Sequence, residues 1–427
     1  MSRITMRTVL TVAVCAAAVG AQDLVHKAAP QKKGIVLTGA AIYPVSSEPI
    51  ESGWIHFVDG RIHGIGEGEV PALPDSPTAI DITGKRVYPG MISAVTTVGL
   101  VEISQVPATR DESEAGNLTP EVRAAVAFNP DSTVIPVTRS SGVLTVGVFP
   151  TGGSVPGRAS VMRLEGWTWE DMSVDADAGM VVSWPSGQRG DSARDARREI
   201  AEAFAAARSY VTGKASDKTI PTDLRWEAMR PVLAGEKPVF VRADDLEQIE
   251  SAVVWAQREG LRMVLVGGRD APLCADLLKA AEVSVIVRGT HRLPARRDAA
   301  YSDPFTLPMR LEAAGLKWCL ASDGSFYNER NLPYHAATAV AFGLAPEVAL
   351  RSITESAAEI LGVGDQIGSL EVGKAATLIV TDGDPLLFTT TVEQAFVDGR
   401  LSDLNNKQEE LAEKYREKYR QLGLWPN

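Results

Sequence analysis

The feature that most constrains the fold is a series of short apolar runs that alternate with helical patterns after Lys85. Continuous apolar strands of this kind are buried on both faces, and their alternation with helices is typical of parallel βαβ units. Seven or eight such strands indicate a barrel. The runs are VYPGMISAV, GVLTVGVF, MVVSW, PVFVRA, RMVLVGG, VSVIVRG and LKWCLAS, and helical patterns cover Asp244–Glu259, Ala271–Ala281, Pro304–Ala314 and Pro333–Phe342.

One stretch of this region has no clear strand. Residues 187–236 show helical periodicity over Ser192–Val211 but no β-rich apolar run. The predicted fold class is therefore α/β, a TIM-like (β/α) barrel over residues 85–365. The sequence leaves open whether the barrel is incomplete between residues 187 and 236 or has a strand hidden there.

Short strands broken by turn residues flank the predicted barrel on both sides. In residues 34–84, Asp59-Gly60 predicts a hairpin between Trp54–Val58 and Arg61–Ile65. Residues 366–404 return to β character, so we expect both stretches to form one small β-sandwich. Residues 405–427 form a charged helical pattern. The sequence is therefore compatible with a homo- or hetero-oligomer.

The first 21 residues have the pattern of a signal peptide. Arg3 and Arg7 precede the apolar run Val9–Val19, and small residues precede Gln22. The run is short for a bilayer span, so we expect export to the periplasm or the exterior, with residues 22–33 as a linker. Cleavage would remove two Arg and no acid, taking the net charge from −11 to −13.

Composition narrows the function classes. Asp and Glu number 54 against 43 Lys and Arg, and no basic block occurs, so the sequence does not support nucleic-acid binding. Without the leader only Cys274 and Cys319 remain, both in apolar patterns that are typical of core thiols.

Three motifs carry a resemblance to a known family. The chain has Gly84-Lys85-Arg86-Val87-Tyr88-Pro89-Gly90-Met91-Ile92 before the barrel, Asn331-Leu332-Pro333 late in it, and Gly368-Ser369-Leu370-Glu371-Val372-Gly373-Lys374-Ala375-Ala376 after it. In these motifs and in their order the chain resembles the amidohydrolase superfamily, and within it an exported, imidazolonepropionase-like subgroup. The resemblance implies a hydrolase of carbon–nitrogen bonds other than peptide bonds, in which a divalent metal such as zinc activates water.

This sequence departs from the metal-ligand pattern that the resemblance implies. Where the family has Asp-x-His-x-His, the chain has Ser93-Ala94-Val95-Thr96-Thr97, and where further histidines are expected it has Arg242 and Gly268. A valine and a glycine offer no ligand atom, and a cation opposes metal binding. The sequence therefore predicts no cofactor and no metal ligands.

The five histidines do not rebuild such a site. His26, His56 and His63 are predicted to be ordinary surface or turn residues, and His335 lies in a helical pattern. His291 follows a barrel strand, on the face where barrel active sites lie. It is either a loop histidine bonded to backbone or an acid/base partner of Asp323, which in the family binds metal and acts as base.

Several arginines follow predicted strands and have two interpretations. They either converge as a pocket for an anionic small molecule, with Arg242, Arg288 and Arg297 binding substrate, or pair with acidic residues in salt bridges. The set is Arg139, Arg242, Arg288, Arg292, Arg296 and Arg297. Two functions remain: a metal-depleted hydrolase, weakly active or inactive, that uses Asp323 and His291, and a non-catalytic binding or partner subunit.

Overall fold

Two sheets of eight strands each form the frame of the molecule. The structure is a computed structural model and describes residues 25–187, 191–322 and 324–425. The predicted α/β class, with a TIM-like barrel and a small β domain, is confirmed. None of the helices in these described ranges is long and apolar enough to cross a membrane. The signal-peptide prediction falls on residues outside the described ranges.

The small β domain combines the two ends of the chain. Its strands run in the order β16-β15-β14-β5-β1-β2-β3, with β4 paired to β1, around a core of its own. They are β1 (Ile35–Ile42), β2 (Ile50–Val58), β3 (Arg61–Glu67), β4 (Thr78–Asp81), β5 (Arg86–Pro89), β14 (Leu378–Thr381), β15 (Val392–Val397) and β16 (Arg400–Ser402).

The same five-residue turn occurs in both halves of this domain. The sequence Phe-Val-Asp-Gly-Arg stands at residues 57–61 and again at 396–400. Asp59 and Gly60 have φ of 51° and 77°, as a tight two-residue hairpin requires, and the predicted β2–β3 hairpin is confirmed. Phe57 and Phe396 pack edge to face with ring centroids 5.1 Å apart, which joins the two halves at their turns.

The second sheet is the barrel, in the order β13-β12-β11-β10-β9-β8-β7-β6. Its strands are β6 (Met91–Thr96), β7 (Val143–Val148), β8 (Gly157–Arg163), β9 (Ser173–Ser183), β10 (Val239–Ala243), β11 (Met263–Gly267), β12 (Ser284–Val287) and β13 (Trp318–Leu320). All neighbours are parallel except β8, which runs antiparallel to both β7 and β9. The expectation of uniformly parallel βαβ units is therefore wrong at this strand.

The eighth strand does not come from residues 187–236. That stretch contributes the helices α4 (Asp191–Ser216) and α5 (Leu224–Leu233) among its described residues. The eighth barrel strand is β8 instead. The connections that join β8 to β7 and to β9 contain no helix as long as α4. The barrel has its eight strands, and the incompleteness left open by the sequence is resolved by an antiparallel strand upstream.

The remaining helices cover the outside of the barrel, and the last one forms the tail. The shorter ones early in the chain are α1 (Ala124–Ala127), α2 (Val134–Arg139) and α3 (Trp169–Met172). Those in the second half are α6 (Leu246–Glu259), α7 (Ala275–Ala280), α8 (Asp303–Ala313), α9 (Leu332–Ala341), α10 (Pro346–Ser352), α11 (Glu355–Ile360) and α12 (Lys407–Gln421). The helix α6 starts with a capping box at Asp245 and Gln248 and ends at Gly260, whose φ is 64°.

Candidate functional site

A cavity of about 200 Å³ lies at the carboxyl ends of the barrel strands, where barrel active sites are found. Its lining comes from the ends of β6, β7, β10, β11, β12 and β13 and the residues after them. The lining residues are Val95, Thr96, Thr97, Phe149, Thr151, Arg242, Val266, Ile286, Arg288, Ala321, Ser322 and Gly324. Larger depressions, such as one of about 640 Å³ beside α4 and α5, lie outside the barrel and carry no comparable convergence of strand ends.

The floor of this mouth cavity is apolar. Phe149, Val266, Ile286 and Ala321 belong to the hydrophobic core that fills the barrel interior, and each is at most 4% exposed. Val95 packs against the same core and is half-buried. The base of the cavity is therefore the top layer of the barrel core.

Arginines make one wall of the mouth cavity cationic. The Arg242 Nη2 donates a hydrogen bond to the Pro150 carbonyl oxygen at 3.0 Å. Burial, and the neighbouring positive charge of Arg288, lower the pKa of Arg242 to about 10, while Glu112 opposes the shift. Arg242 is still protonated at neutral pH, so two guanidinium charges face the cavity.

Glu112 lies in the loop that follows β6 and approaches the same wall. Its carbonyl oxygen accepts a hydrogen bond from the Thr151 backbone N–H at 2.6 Å. Its carboxylate pairs with Arg110, with the Arg110 Nη2 to Glu112 Oε1 distance at 2.7 Å. The Glu112 carboxylate thus attracts the cavity residue Arg242 and is itself paired with Arg110.

A buried carboxylate below the mouth escaped the sequence analysis. Glu329 is fully buried and accepts hydrogen bonds from Ser93 at the start of the barrel sheet and from Ser322 at its end, the latter at 2.7 Å. Ser93 lies on β6 and Ser322 follows β13, the two strands at the ends of the sheet order. An acidic residue just before the apolar helical pattern at Asn331-Leu332-Pro333 was the available signal.

His291 is placed beside the mouth and is not among the residues that line the cavity. Its Nε2 lies 2.8 Å from the Thr338 hydroxyl, and its backbone N–H donates to the His335 Nδ1 at 3.2 Å. The two rings are in contact with centroids 4.2 Å apart and planes tilted by 42°, and His335 is only 2% exposed. His291 therefore sits on a packed histidine of α9.

Asp323 lies outside the described residues. Its neighbours Ser322 and Gly324 both line the mouth cavity. The predicted His291–Asp323 pair thus remains a prediction. In the described part of the chain no group of three His, Cys, Asp or Glu side chains is arranged to hold a metal ion.

The anion-pocket interpretation holds for some of the six arginines, and the salt-bridge interpretation holds for others. Arg242 and Arg288 converge on the cavity, as the anion-pocket interpretation requires. Arg296 instead makes salt bridges to Asp245 and Asp270, the former at 3.2 Å. Arg297 is exposed on the same loop and does not line the cavity, so this geometry does not bring it together with the other two candidates.

The contacts of Arg139 lie away from the mouth cavity. It is 1% exposed, pairs with the equally buried Glu165 at 2.7 Å, and donates to the carbonyl oxygen of Asp403 near the tail. Glu165 also accepts a hydrogen bond from the Ala28 backbone N–H at 2.9 Å. This ion pair joins the start of the described chain, the barrel and the segment before α12.

One histidine of the small β domain is not the surface residue that the sequence predicted. His56 is 4% exposed, and its Nε2 lies 3.0 Å from an Asp75 carboxylate oxygen. A buried ring finds a polar partner, which a strand pattern alone does not reveal. Cys274 and Cys319 are buried free thiols, as expected for core cysteines.

Comparison with known proteins relates this fold to named relatives. The sequence pattern of the amidohydrolase family matches residues 249–409. Amidohydrolase tasK of Hapsidospora irregularis is 23% identical over 417 residues, which cover 86% of this chain and 42% of tasK. Imidazolonepropionase of Maricaulis maris (strain MCS10) is 30% identical over 149 residues, which cover 34% of this chain and 35% of that protein. The chain thus spans about two fifths or less of the length of these two relatives.

A solved structure agrees over most of the chain. The amidohydrolase from Thermotoga maritima MSB8 superposes with a TM-score of 0.77 and 26% identity, covering 86% of this chain and 99% of that one. By sequence over residues 249–409 and by fold over most of its length, the chain is similar to the amidohydrolase family, and an imidazolonepropionase and other amidohydrolases are among the proteins that it resembles.

Proposed function

We propose that this protein is a metal-depleted member of the amidohydrolase superfamily whose barrel mouth binds a small anionic molecule. The observation that carries the proposal is the pair of guanidinium groups, Arg242 and Arg288, on the wall of the mouth cavity. Guanidinium groups bind carboxylate and phosphate oxygens through parallel, charge-assisted hydrogen bonds. A cavity of about 200 Å³ is smaller than the roughly 300–1,000 Å³ typical of drug-sized ligands, which favours a compact anion.

The donor set of the cavity does not fit a divalent metal. The resemblance implies ligands at positions 95, 97, 242, 268 and 323, which here are Val95, Thr97, Arg242, Gly268 and Asp323, and of these Asp323 alone has a side chain that zinc prefers. Val95 and Arg242 both line the cavity, so an apolar side chain and a cation stand where ligands are implied. A hydroxyl is a weak ligand for zinc, which prefers thiolate, imidazole and carboxylate.

Calorimetric titration of the purified protein with acetate and with phosphate tests the proposal, before and after treatment with a chelator. We expect saturable binding of at least one anion, unchanged by chelation. Arg242→Gln should weaken it by roughly 10- to 100-fold, because a hydrogen bond to a charged group contributes about 1.5–3 kcal/mol. Arg258→Ala is the matched control, since Arg258 lies exposed in the last turn of α6.

Binding that disappears on chelation and returns with zinc would overturn the proposal. So would the failure of acetate, phosphate and the longer carboxylates alike to bind.

A second candidate, hydrolysis of a carbon–nitrogen bond, is favoured by the relatives, which carry the names amidohydrolase and imidazolonepropionase. In that case Asp323 and His291 are the proposed acid/base residues. Release of amine or acid from N-acyl amino acids and cyclic amides, followed by chromatography with chelator present, tests it. Product formation that Asp323→Asn abolishes supports the hydrolase, and turnover that persists in Asp323→Asn removes Asp323 from it.

Export is proposed together with either function. Arg3, Arg7 and the apolar run Val9–Val19 support cleavage before Gln22. Mass spectrometry of the protein from a secretion-competent host should find Gln22 at the N-terminus. Recovery of the intact leader in the soluble cell fraction would contradict export.

A further inference from the structure

The mouth cavity has two chemically distinct parts, and its ligand must match both. The floor consists of barrel-core side chains, Phe149, Val266, Ile286 and Ala321, completed by the half-buried Val95. Contact between such a surface and an apolar group is favourable, and the surface offers no hydrogen bond. A purely polar anion would leave this floor facing water.

Two hydroxyls on the polar side of the cavity are already engaged within the protein. Ser322 donates its hydroxyl to Glu329 at 2.7 Å, and its oxygen accepts a hydrogen bond from the Gly324 backbone N–H at 3.2 Å. The Thr96 hydroxyl oxygen accepts from the Val98 backbone N–H at 3.1 Å. The arginines supply the charged donors to a ligand.

Arg242 has donors to spare. Of the five N–H donors of a guanidinium, the described part of the chain engages one of those on Arg242, the Nη2 bond to Pro150. The remaining donors form the fork that suits the two oxygens of a carboxylate.

The charge of the wall is positive. Arg242 and Arg288 bring two positive charges, and Glu112 stands close enough to attract Arg242. The Glu112 carboxylate is itself paired with Arg110, so these two charges offset each other. These four groups sum to about two positive units, both carried by the arginines that face the cavity, and the apolar floor offers no partner for a second anionic group.

From this geometry we infer that the ligand of the mouth is a small monocarboxylate with a short apolar chain or ring, carboxylate on Arg242 and Arg288 and apolar part on the floor. The inference rests on the proposed function and narrows it from an anion to a ligand class. Inorganic phosphate and sulfate are anionic as well, with a charge at least as large, and lack the apolar part.

A chain-length series of acetate, propionate, butyrate and pentanoate, with phosphate and sulfate alongside, tests the inference by calorimetry in chloride-free buffer. We expect the association constant to rise about fourfold for each methylene that reaches the floor, and to level off when the cavity is full. Phosphate and sulfate should bind more weakly than butyrate.

Val95→Thr probes the floor with almost no change in volume. The added hydroxyl should reduce the ratio of butyrate to acetate affinity severalfold, because the first methylenes then meet a polar surface. Arg242→Gln should weaken every carboxylate by a similar factor and keep the ratio. Circular dichroism and thermal unfolding of both variants establish that they are folded, and Arg258→Ala should reproduce the parent protein in every titration.

The outcomes separate the two claims. Equal affinity for acetate and pentanoate, or tighter binding of phosphate than of butyrate, overturns the ligand class while anion binding stands. Failure of all six anions to bind overturns the proposed function and the ligand class together.

Discussion

The buried carboxylate of Glu329 ties together the two ends of the barrel sheet, and its removal is the most informative perturbation of the fold. Among the described strands, β6 and β13 stand at opposite ends of the hydrogen-bonded order and are not paired with each other. Glu329 accepts hydrogen bonds from Ser93 on β6 and from Ser322 after β13, and all three residues are fully buried. The carboxylate therefore bridges the seam at which the barrel closes.

The magnitude follows from the two bonds. A buried hydrogen bond to a charged group contributes about 1.5–3 kcal/mol, so Glu329→Ala should lower the free energy of unfolding by about 3–6 kcal/mol. Ser93→Ala removes one of the two bonds and should cost about 1.5–3 kcal/mol. Either loss is large against the roughly 5–15 kcal/mol by which folded domains are stable.

Urea unfolding of the single and double variants measures both the total and the coupling. The Ser93→Ala and Glu329→Ala pair should show a coupling of at least about 1 kcal/mol, because both remove the same bond. Ser160→Ala is the matched control: Ser160 is equally buried and bonds Ala176 and Ala125 instead. Its effect should add to that of Glu329→Ala within about 0.5 kcal/mol. A loss below about 1 kcal/mol for Glu329→Ala, or a coupling no larger than that of the control pair, would refute the bridge.

Further expected outcomes concern metal, catalysis, thiols and pH. Elemental analysis of the purified protein should find no stoichiometric zinc, manganese or iron, and about one ion per chain would contradict this expectation. Asp323→Asn should leave the unfolding midpoint nearly unchanged and abolish any hydrolysis that is found, and unchanged turnover would exclude Asp323 from the reaction. Burial raises the pKa of Cys274 to about 11 and also raises that of Cys319, so an aromatic disulfide reagent at pH 8 should label neither until the protein is unfolded. Because Arg242 binds anions only as a cation and its pKa is about 10, carboxylate affinity should be level from pH 6 to 9 and fall above about pH 10.

The fold was accessible from the sequence because its strongest signals are local. The apolar runs that became β10, β11, β12 and β13 each contain a continuous buried strand followed by a helix, and periodicity detects such units. The β2–β3 hairpin was equally clear, since Asp59-Gly60 suits a tight turn with positive φ at both residues.

The antiparallel strand β8 was not accessible in the same way. Its sequence, GRASVMR, mixes two arginines and a serine with four small or apolar residues, and it is preceded by the glycine- and proline-rich PTGGSVP. Arg158 on this strand is held by Asp177 and by the Glu121 carbonyl oxygen, contacts that come from distant residues. Tertiary partners, rather than strand propensity, make this segment a strand.

The candidate site was predictable only in part, because convergence is a property of the folded chain. Six arginines had similar positions in the sequence, yet Arg242 and Arg288 reach the cavity while Arg296 is held by Asp245 and Asp270. Neither the acids that capture an arginine nor the backbone that orients it can be located by spacing. For the same reason Glu329 went unnoticed, since its two serine partners lie 236 and 7 residues away in the chain.

The charge at the mouth explains how such a barrel could keep binding while it loses water activation. The divalent metal implied by the resemblance supplies two positive charges and also lowers the pKa of a bound water. Arg242 and Arg288 supply two positive charges at the same end of the barrel, so attraction of an anionic or carbonyl-bearing molecule is retained. A guanidinium has no open coordination position and cannot act as a Lewis acid toward water. The proposed state of the protein, ligand binding without metal-assisted hydrolysis, is therefore what exchanging a metal for two arginines would produce, and hydrolysis, if it is found, must depend on Asp323 or another base of the chain itself.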